Sequence, residues 1–385
     1  MVLLYHSTQL QENSKFLPEK IDFKVLKEIY NKYSKKSNPI IFDDYIKKFK
    51  QFYSIRTPST YVEDSDIDDI QNYETNTTIY SSNHNKFPQE WNDSIKVFYN
   101  IPFITYVHIQ YLEYECDTMR KYTSDNSNLS IVVLYKSADI SLDNLNNIIN
   151  MLITIYNWLN TDNIPIKLYI LLTPFLKSFK YENYDYEWSK WTNKMPNDAI
   201  RPYNINSGLY YNDTIILFRY DEIYKIFIHE CSHAFDTYHR NNNIALYFGN
   251  YPILLNEAIT EYNAILLWIF LITKLHNKDY DFFKYLYYGE LVNSMTMNRR
   301  FFKYYDIHDL NILRSPNNFQ QYTNAFSYLF IKHLLLSNLG LDNKSVNKFL
   351  NEVDLNKYNY LLNDNIKCTD RLTLSAFFLS DSFTF

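Results

Sequence analysis

A short apolar run with two histidines and a glutamate in its middle constrains this chain more than any other feature. Residues 226–235 read Ile-Phe-Ile-His-Glu-Cys-Ser-His-Ala-Phe, with no proline, no glycine and no charged residue except Glu230. On a helix, His229 and His233 lie one turn apart on the same face, so both rings can reach one ion. Glu230 points about 100° away and can address a water molecule instead. A buried helix does not direct such side chains inward unless something satisfies them, so the run predicts a zinc site.

A downstream glutamate is one candidate for the third ligand, since hydrolytic zinc sites take three protein ligands and a water molecule. Glu257 follows His233 by 24 residues (257 − 233) in a second helix-like stretch. Pro252 suits the first turn of that helix, and a short loop over residues 240–251 would return it to the first helix. Glu261 lies one turn further on the same face, where it can accept a hydrogen bond from the outer nitrogen of a ligand histidine.

A third histidine is the rival candidate. The pattern His-Glu-x-x-His-x-x-Asp-x-x-His, which ends at His239, resembles the metzincin signature with Asp236 where that family has glycine. The glycine lets the chain leave the helix sharply, and aspartate adopts the required left-handed conformation far less readily. This alternative also gives no role to Glu257.

The two motifs together resemble the gluzincin metallopeptidases, which include the thermolysin-like and M1 aminopeptidase-like families. The resemblance rests on His-Glu-x-x-His followed by Asn-Glu-Ala-Ile-Thr-Glu-Tyr at residues 256–262. It implies that Glu257 is the third zinc ligand and that Glu261 supports a ligand histidine.

A tyrosine further along extends this resemblance. Tyr-Thr-Asn-Ala at residues 322–325 is similar to the Tyr-x-Lys-Gly segment of M1-like enzymes, which implies that Tyr322 stabilises the oxyanion. Asn324 and Ala325 replace the lysine and glycine of that segment. The Gly-x-Met-Glu-Asn motif of M1 aminopeptidases is missing from the sequence, so an endopeptidase is favoured.

Apolar patterning predicts an α+β, zincin-like fold, with an N-terminal α/β subdomain containing a mixed sheet and a C-terminal helical subdomain flanking the active-site cleft. Residues 1–60 read as a helical segment, 61–94 as an acidic and polar linker, 95–220 as the α/β subdomain with an edge strand, and 221–385 as the helical subdomain carrying the zinc site. The first 90 residues are expected to be dispensable for zinc binding.

Individual elements follow from the same patterns. Strands are expected at residues 95–99, 104–114, 131–135, 166–172 and 214–218. The last of these is expected to be the sheet edge to which an extended peptide is added. Ser141 is expected to cap a helix, and no strand is expected after residue 221. Helices are expected at residues 21–33, 40–52, 252–276, 281–291, 319–336 and 344–362.

Composition excludes several classes of protein. With 46% hydrophobic and 18% aromatic residues, the chain is not a disordered protein. A net charge of −5 without a basic patch gives no argument for nucleic acid. The 3 cysteines are odd in number and widely spaced, which suits a reducing compartment. The apolar runs at the N-terminus and at residues 264–272 are too short for a signal peptide and a membrane span, so an intracellular, cytoplasmic protein without a membrane partner is expected.

These observations predict a zinc-dependent metallopeptidase that hydrolyses a peptide or protein substrate. Glu230 would act as general base on a metal-activated water molecule, and Tyr322 would hold the oxyanion. A catalytically weak interaction or structural protein of the same fold is the alternative from another class. The presence of Glu230 counts against it, because a scaffold has no need of a base beside its metal.

Overall fold

The computed structural model describes residues 21–36, 89–101, 104, 106–123, 128–177, 205–220, 222–235, 243–248, 251–304, 306–314, 325–341, 343–362 and 374–376. The predicted helix at residues 40–52, most of the predicted linker, and Asp236, His239 and Tyr322 lie outside the described residues.

Among the described residues, a five-stranded mixed sheet forms the centre of the α/β part. Its strands are β1 (Thr118–Thr123), β2 (Leu129–Tyr135), β3 (Ile166–Leu171), β4 (Gly208–Tyr211) and β5 (Thr214–Leu217). Their order across the sheet is β1-β2-β3-β5-β4. Strands β2, β3 and β5 are parallel, whereas β1 and β4 pair antiparallel at the two ends. The prediction of an α+β fold with a mixed sheet is therefore confirmed at this level.

A tight hairpin joins β4 to β5, and β4 is the outer strand of this pair. Its turn residues Asn212 and Asp213 have φ values of 47° and 56°. Two central residues at positive φ match the twist of the flanking strands, and Asn and Asp tolerate that conformation. Strand β5 consequently lies between β3 and β4. The prediction that residues 214–218 form the edge is wrong, because β4, too short to stand out in the sequence, occupies that position among the described strands.

One face of the sheet is covered by α4 (Leu142–Leu159) and α5 (Ile223–Ala234). Their apolar side chains share one core with inward residues of the parallel strands, among them Ile131, Leu168 and Ile215. Ser141 caps α4 as predicted, since its hydroxyl oxygen accepts a hydrogen bond from the Asn144 N–H at 3.3 Å. Helix α5 crosses β5 and β4, which places its residues beside the edge strand.

The other face is covered by α2 (Gln89–Tyr99) and α3 (Tyr106–Gln110), the latter extended by a π-helical turn over Tyr111–Glu115. The prediction of strands at residues 95–99 and 104–114 is wrong. Trp91, Ser94 and Phe98 are buried at spacings of three and four residues, the period of a helix with one apolar face. Trp91 and Phe98, together with Ile104 and Leu112, pack on the outward side chains of the sheet. The β-branched and aromatic composition suggested strands, but the burial period is helical.

Helices dominate the rest of the described chain: α6 (Leu255–Leu275), α7 (Tyr280–Tyr304), α8 (Lys332–Ser337) after a π-helical turn at Ser327–Ile331, and α9 (Asn343–Glu352), with 3₁₀ segments at Leu310–Arg314 and Leu355–Leu362. By length and composition α6 could cross a membrane, but most of it is buried inside the protein. Residues 264–272, which are buried along their whole length, form part of the core.

A two-stranded hairpin precedes α6, formed by β6 (Asn243–Phe248) and β7 (Tyr251–Leu254). The predictions of no strand after residue 221 and of a helix from Pro252 are wrong. Pro252 lies within β7, and α6 begins three residues later, at Leu255. Proline is acceptable in a strand at a sheet edge, where its missing N–H is not needed.

The N-terminal helix α1 (Phe23–Lys36) packs on the helical part. Leu26 is fully buried, and the rings of Tyr30 and Tyr33 lie 5.5 and 5.6 Å from the ring of Phe270 on α6. The Tyr280 hydroxyl donates a hydrogen bond to the Phe23 carbonyl at 2.8 Å. Helix α1 thus belongs to the same core as the helices that carry the candidate site.

Candidate metal centre

Helix α5 presents two histidines on one face. His229 and His233 are one turn apart, and their Nε2 atoms lie 3.1 Å from each other. The apolar side chains of α5 pack in the core, and this packing fixes the backbone position of both histidines. The spacing of the motif predicted this arrangement.

Helix α6 brings a carboxylate to the same point. Glu257, in its first turn, places Oε2 at 3.4 Å from His229 Nε2 and 3.5 Å from His233 Nε2. With metal–donor distances of about 2.0–2.1 Å, two donors of a tetrahedral zinc site lie roughly 3.4 Å apart. The three donor atoms are thus separated by nearly the distances that a zinc ion would require. Two imidazoles and a carboxylate are also a donor set that zinc accepts.

A second glutamate on α6 holds the ring of the first histidine. The Nδ1 atom of His229 lies 3.0 Å from Glu261 Oε2, which is the contact that the spacing of Glu257 and Glu261 predicted. A hydrogen bond from Nδ1–H to this carboxylate leaves Nε2 facing the other two donors. Lys225 Nζ donates to the second carboxylate oxygen of Glu261 at 2.7 Å.

The carboxylates of Glu257 and Glu261 favour a positive charge at the donor atoms. Burial lowers the pKa of His229, but hydrogen bonds with Glu257 and Glu261 outweigh burial and raise that pKa to about 10. Burial works in the opposite sense on Glu257, yet its two histidine partners hold the pKa of its carboxyl well below the usual range. A divalent ion at this point would displace the proton from His229.

Glu230 lies between α5 and the edge strand. A Cβ atom on Gly208, the first residue of β4, would lie 3.1 Å from Glu230 Oε1 and 2.8 Å from Ile226 Cγ2. Only glycine therefore lets α5 approach β4 this closely. Burial raises the pKa of Glu230, and the neighbouring His229 and His233 offset only part of that rise. The carboxyl is thus close both to the donors and to the strand on which an extended chain could pair.

A tyrosine that the sequence reasoning missed contacts the third donor. The Tyr328 hydroxyl donates to Glu257 Oε2 at 2.9 Å, and its ring centroid lies 5.8 Å from that of His229. Burial, followed by the charge of Glu257, raises the pKa of Tyr328 well above its usual value, so the hydroxyl keeps its proton. Tyr328 stands on the π-helical turn, a conformation frequent at functional sites.

The signal for Tyr328 was present in the sequence but ambiguous. It lies six residues after Tyr322 (328 − 322), in the segment whose resemblance pointed to an oxyanion-binding tyrosine. A π-helical turn adds a residue to one turn of the helix, so regular spacing cannot tell which tyrosine faces the site.

Within the part of the chain that the structure describes, His229, His233 and Glu257 are the one group of three metal-ligating side chains that converge. Comparison with known proteins finds no family model, no curated protein and no solved structure that matches this chain. Function must therefore be argued from the site, because a fold alone does not specify it.

Proposed function

We propose that the protein is a zinc-dependent peptidase of the gluzincin type, in which His229, His233 and Glu257 hold the ion. The observation that carries this proposal is the set of donor separations of 3.1, 3.4 and 3.5 Å among those three side chains. Two glutamates with separate tasks support it further. Glu261 orients a donor ring, and Glu230 lies beside the donors.

The architecture around the site supports a zincin-like fold. The helix that carries both histidines packs against a mixed sheet whose antiparallel edge strand, β4, lies next to Glu230. Backbone groups on the side of β4 that no described strand occupies can pair with an extended peptide, so that affinity comes from the main chain. Such a peptide would pass directly beside Glu230, which favours a peptide or protein substrate cleaved within its chain.

Each residue of the site has a separate role in the proposed reaction. A bound zinc ion supplies Lewis acidity, which polarises a carbonyl group and makes a water molecule more acidic. Glu230 accepts the proton of the attacking water molecule and returns it to the nitrogen of the leaving amine. Tyr328 donates a hydrogen bond to Glu257 and keeps that carboxylate in place. Tyr322 is proposed as the hydrogen-bond donor to the oxyanion, on the basis of the resemblance to M1-like enzymes.

The first test is zinc content per chain in Glu257→Ala and His239→Ala. We expect Glu257→Ala to lose the ion and His239→Ala to retain it. His308→Ala is the matched control, because His308 is a surface histidine paired with Asp306. Retention of zinc in Glu257→Ala with loss in His239→Ala would instead make the protein metzincin-like.

Cleavage of a quenched-fluorescent peptide library by the zinc-loaded protein tests the activity separately. Turnover that disappears on chelation and returns with zinc is expected. A folded protein with one zinc ion per chain and no turnover would support a structural or interaction role for the site.

A further inference from the structure

Behind the candidate metal centre lies a group of six buried charged residues, which we call the charge cluster. Its members are three lysines and three glutamates, none more than 5% exposed: Lys177, Lys225, Lys332, Glu222, Glu261 and Glu290. Burying charges is costly unless they are paired and hydrogen-bonded. The pairing of these six residues therefore determines where each side chain lies.

Glu261 connects the charge cluster to the donor histidine His229. Glu261 receives His229 Nδ1 on one oxygen, and Lys225 Nζ at 2.7 Å on the other. The same Lys225 Nζ is 3.8 Å from Glu222 Oε2. Lys225 is thus shared unequally between two buried carboxylates, and the one that orients His229 has the shorter contact.

Glu222 is kept at that longer distance by other partners. It pairs with Lys177 through Oε2, and its Oε1 accepts hydrogen bonds from the backbone N–H groups of Leu374 and Ser375 at 2.6 and 2.8 Å. Glu222 has a left-handed φ of 59°, which is unfavourable for a residue with a side chain and shows how strongly its position is imposed.

Residues 374–376, which we call the tail segment, contact the charge cluster at two further points. Lys332 Nζ donates to the Leu374 carbonyl at 2.8 Å and lies 3.9 Å from Glu261 Oε1. Glu290 accepts hydrogen bonds from the Ser375 hydroxyl and from the Ala376 N–H. The tail segment therefore binds charged residues at the start of α5, on α7 and on α8. Of these, Lys332 lies near Glu261 directly, and Glu222 is linked to Glu261 through Lys225.

We propose that the tail segment is a positioning element of the metal centre. Its N–H groups hold Glu222 away from Lys225, so that Lys225 stays on Glu261 and Glu261 keeps His229 oriented. Without those N–H groups, Glu222 would compete for Lys225 and Glu261 would lose its nearest cation. This inference rests on the proposed function, since it concerns how tightly the ion is held.

The test uses the full chain with Ser375→Pro, which removes the Ser375 N–H, and Ser375→Ala as the matched control, which keeps it. Substituting a partner of a metal ligand typically changes metal affinity by about 10–100-fold. The Ser375 N–H is three contacts beyond such a partner, through Lys225 and Glu222, so its loss should have a smaller effect of about three- to tenfold. We expect Ser375→Pro to weaken zinc binding by that amount in a chelator competition and to shift the visible spectrum of the cobalt-substituted protein. Ser375→Ala loses the hydroxyl bond to Glu290 but keeps the N–H, so it should bind zinc at least about threefold more tightly than Ser375→Pro.

A double variant separates positioning from a general loosening of the structure. In the Glu222→Gln background the side chain has no charge with which to compete for Lys225, so adding Ser375→Pro should no longer weaken zinc binding. Equal weakening in both backgrounds would overturn the proposal, as would parent-like zinc affinity in a folded Ser375→Pro protein. A parent chain that binds no zinc would reject the proposed function itself, which makes the two failures distinguishable.

Folding is checked by near-ultraviolet circular dichroism of the metal-free proteins. Leu374→Gly serves if Ser375→Pro does not fold, because without the buried Leu374 side chain the tail segment no longer keeps its N–H groups beside Glu222. The same weakening of zinc binding is expected. If neither variant folds, the tail segment is needed for the fold as a whole and the proposal is overturned.

Discussion

Glu230 has little freedom in where its carboxyl group can lie. Helix α5 fixes its backbone, and β4 approaches so closely that position 208 has room only for glycine. A carboxyl confined in this way is already next to the donor cluster and does not need to be brought there by substrate. The proposed role of base therefore depends on chemistry at one side chain and can be tested there.

Replacing Glu230 with glutamine should keep the metal and remove the activity. The amide has nearly the same size but cannot accept the proton of a water molecule, so peptide hydrolysis should fall by about 10²–10⁴-fold. Zinc content and the unfolding midpoint should match those of the parent. Glu115→Gln, which changes a surface glutamate paired with Lys136, is the control. Unchanged turnover in Glu230→Gln would exclude this residue as the base.

Tyr328→Phe isolates the hydroxyl that contacts the third donor. The ring remains, but Glu257 loses the hydrogen bond of 2.9 Å that holds its Oε2 atom. Because partners of metal ligands affect how well the ligands are held, we expect zinc affinity to fall by about tenfold. Tyr285→Phe, at an exposed tyrosine, should leave the affinity unchanged. If Tyr328→Phe binds zinc as tightly as Tyr285→Phe, the Tyr328 hydroxyl has no part in holding Glu257.

At the scale of elements, helix α8 has a buried histidine with a defined protonation state. The His333 ring lies 2.7 Å from the Tyr360 hydroxyl and 3.4 Å from the Ser337 hydroxyl. Burial, reinforced by the charges of Lys332 and Arg299, lowers the pKa of His333 to about 3. The ring is therefore neutral in the folded protein at any pH above that value.

This lowered pKa predicts how stability depends on pH. Between about pH 6.5 and pH 3 the unfolded chain binds a proton at His333 that the folded chain does not, so the free energy of unfolding falls as the pH falls. The contribution is fully present above pH 6.5, and the loss approaches about 1.4 kcal/mol per pH unit. Urea unfolding across this range should give a flatter dependence for His333→Gln than for the parent. Parallel curves would contradict the prediction.

Helices and strands were predictable where local spacing decides them, and not where packing does. Local neighbours alone decide three of the correct predictions. These are the Ser141 cap, strand β2 and the pairing of the two histidines. Residues 89–115 combine strand-like composition with a helical burial period, and only the sheet face that they cover settles the matter. The β4–β5 hairpin was missed for another reason, because β4 has only 4 residues and does not stand out in the sequence.

The candidate site divides in the same way. His229, His233 and Glu230 follow from one helical turn, and Glu257 with Glu261 from another. Tyr328 reaches Glu257 across 71 residues, and the tail segment reaches Glu222 across 152. No local pattern in the sequence marks partners at such separations. Of the contacts around the donors, the sequence could therefore predict those within α5 and α6 and not those brought by the rest of the fold.

At the scale of the whole molecule, α1 joins the N-terminal part of the chain to the helices of the candidate site. Leu26, Tyr30 and Tyr33 enter the core beside Phe270, whose helix also carries Glu257. This packing does not favour the expectation that the first 90 residues are dispensable. Their removal would expose an apolar face of α6 and α7 to water.

Leu26→Ala tests this connection in the full chain. Truncating a fully buried leucine typically costs about 2–5 kcal/mol, because burial is lost and a cavity remains. We expect a loss of that size in the free energy of unfolding, measured by urea. Glu28→Ala, at an exposed position of the same helix, should change it by less than about 0.5 kcal/mol. A loss of similar size in both variants would show that α1 is only loosely attached.

The long separation between Glu222 and the tail segment has a consequence for the newly made protein. Leu374 follows Glu222 by 152 residues, a length of chain that takes about 8–30 s to synthesise at 5–20 residues per second. For most of that interval both histidines, Glu257 and Glu261 have already been made, while the N–H groups that hold Glu222 do not yet exist. If the site binds zinc as proposed, a chain still on the ribosome holds the ion less tightly than the finished protein, and full affinity comes only when residues 374–376 are added.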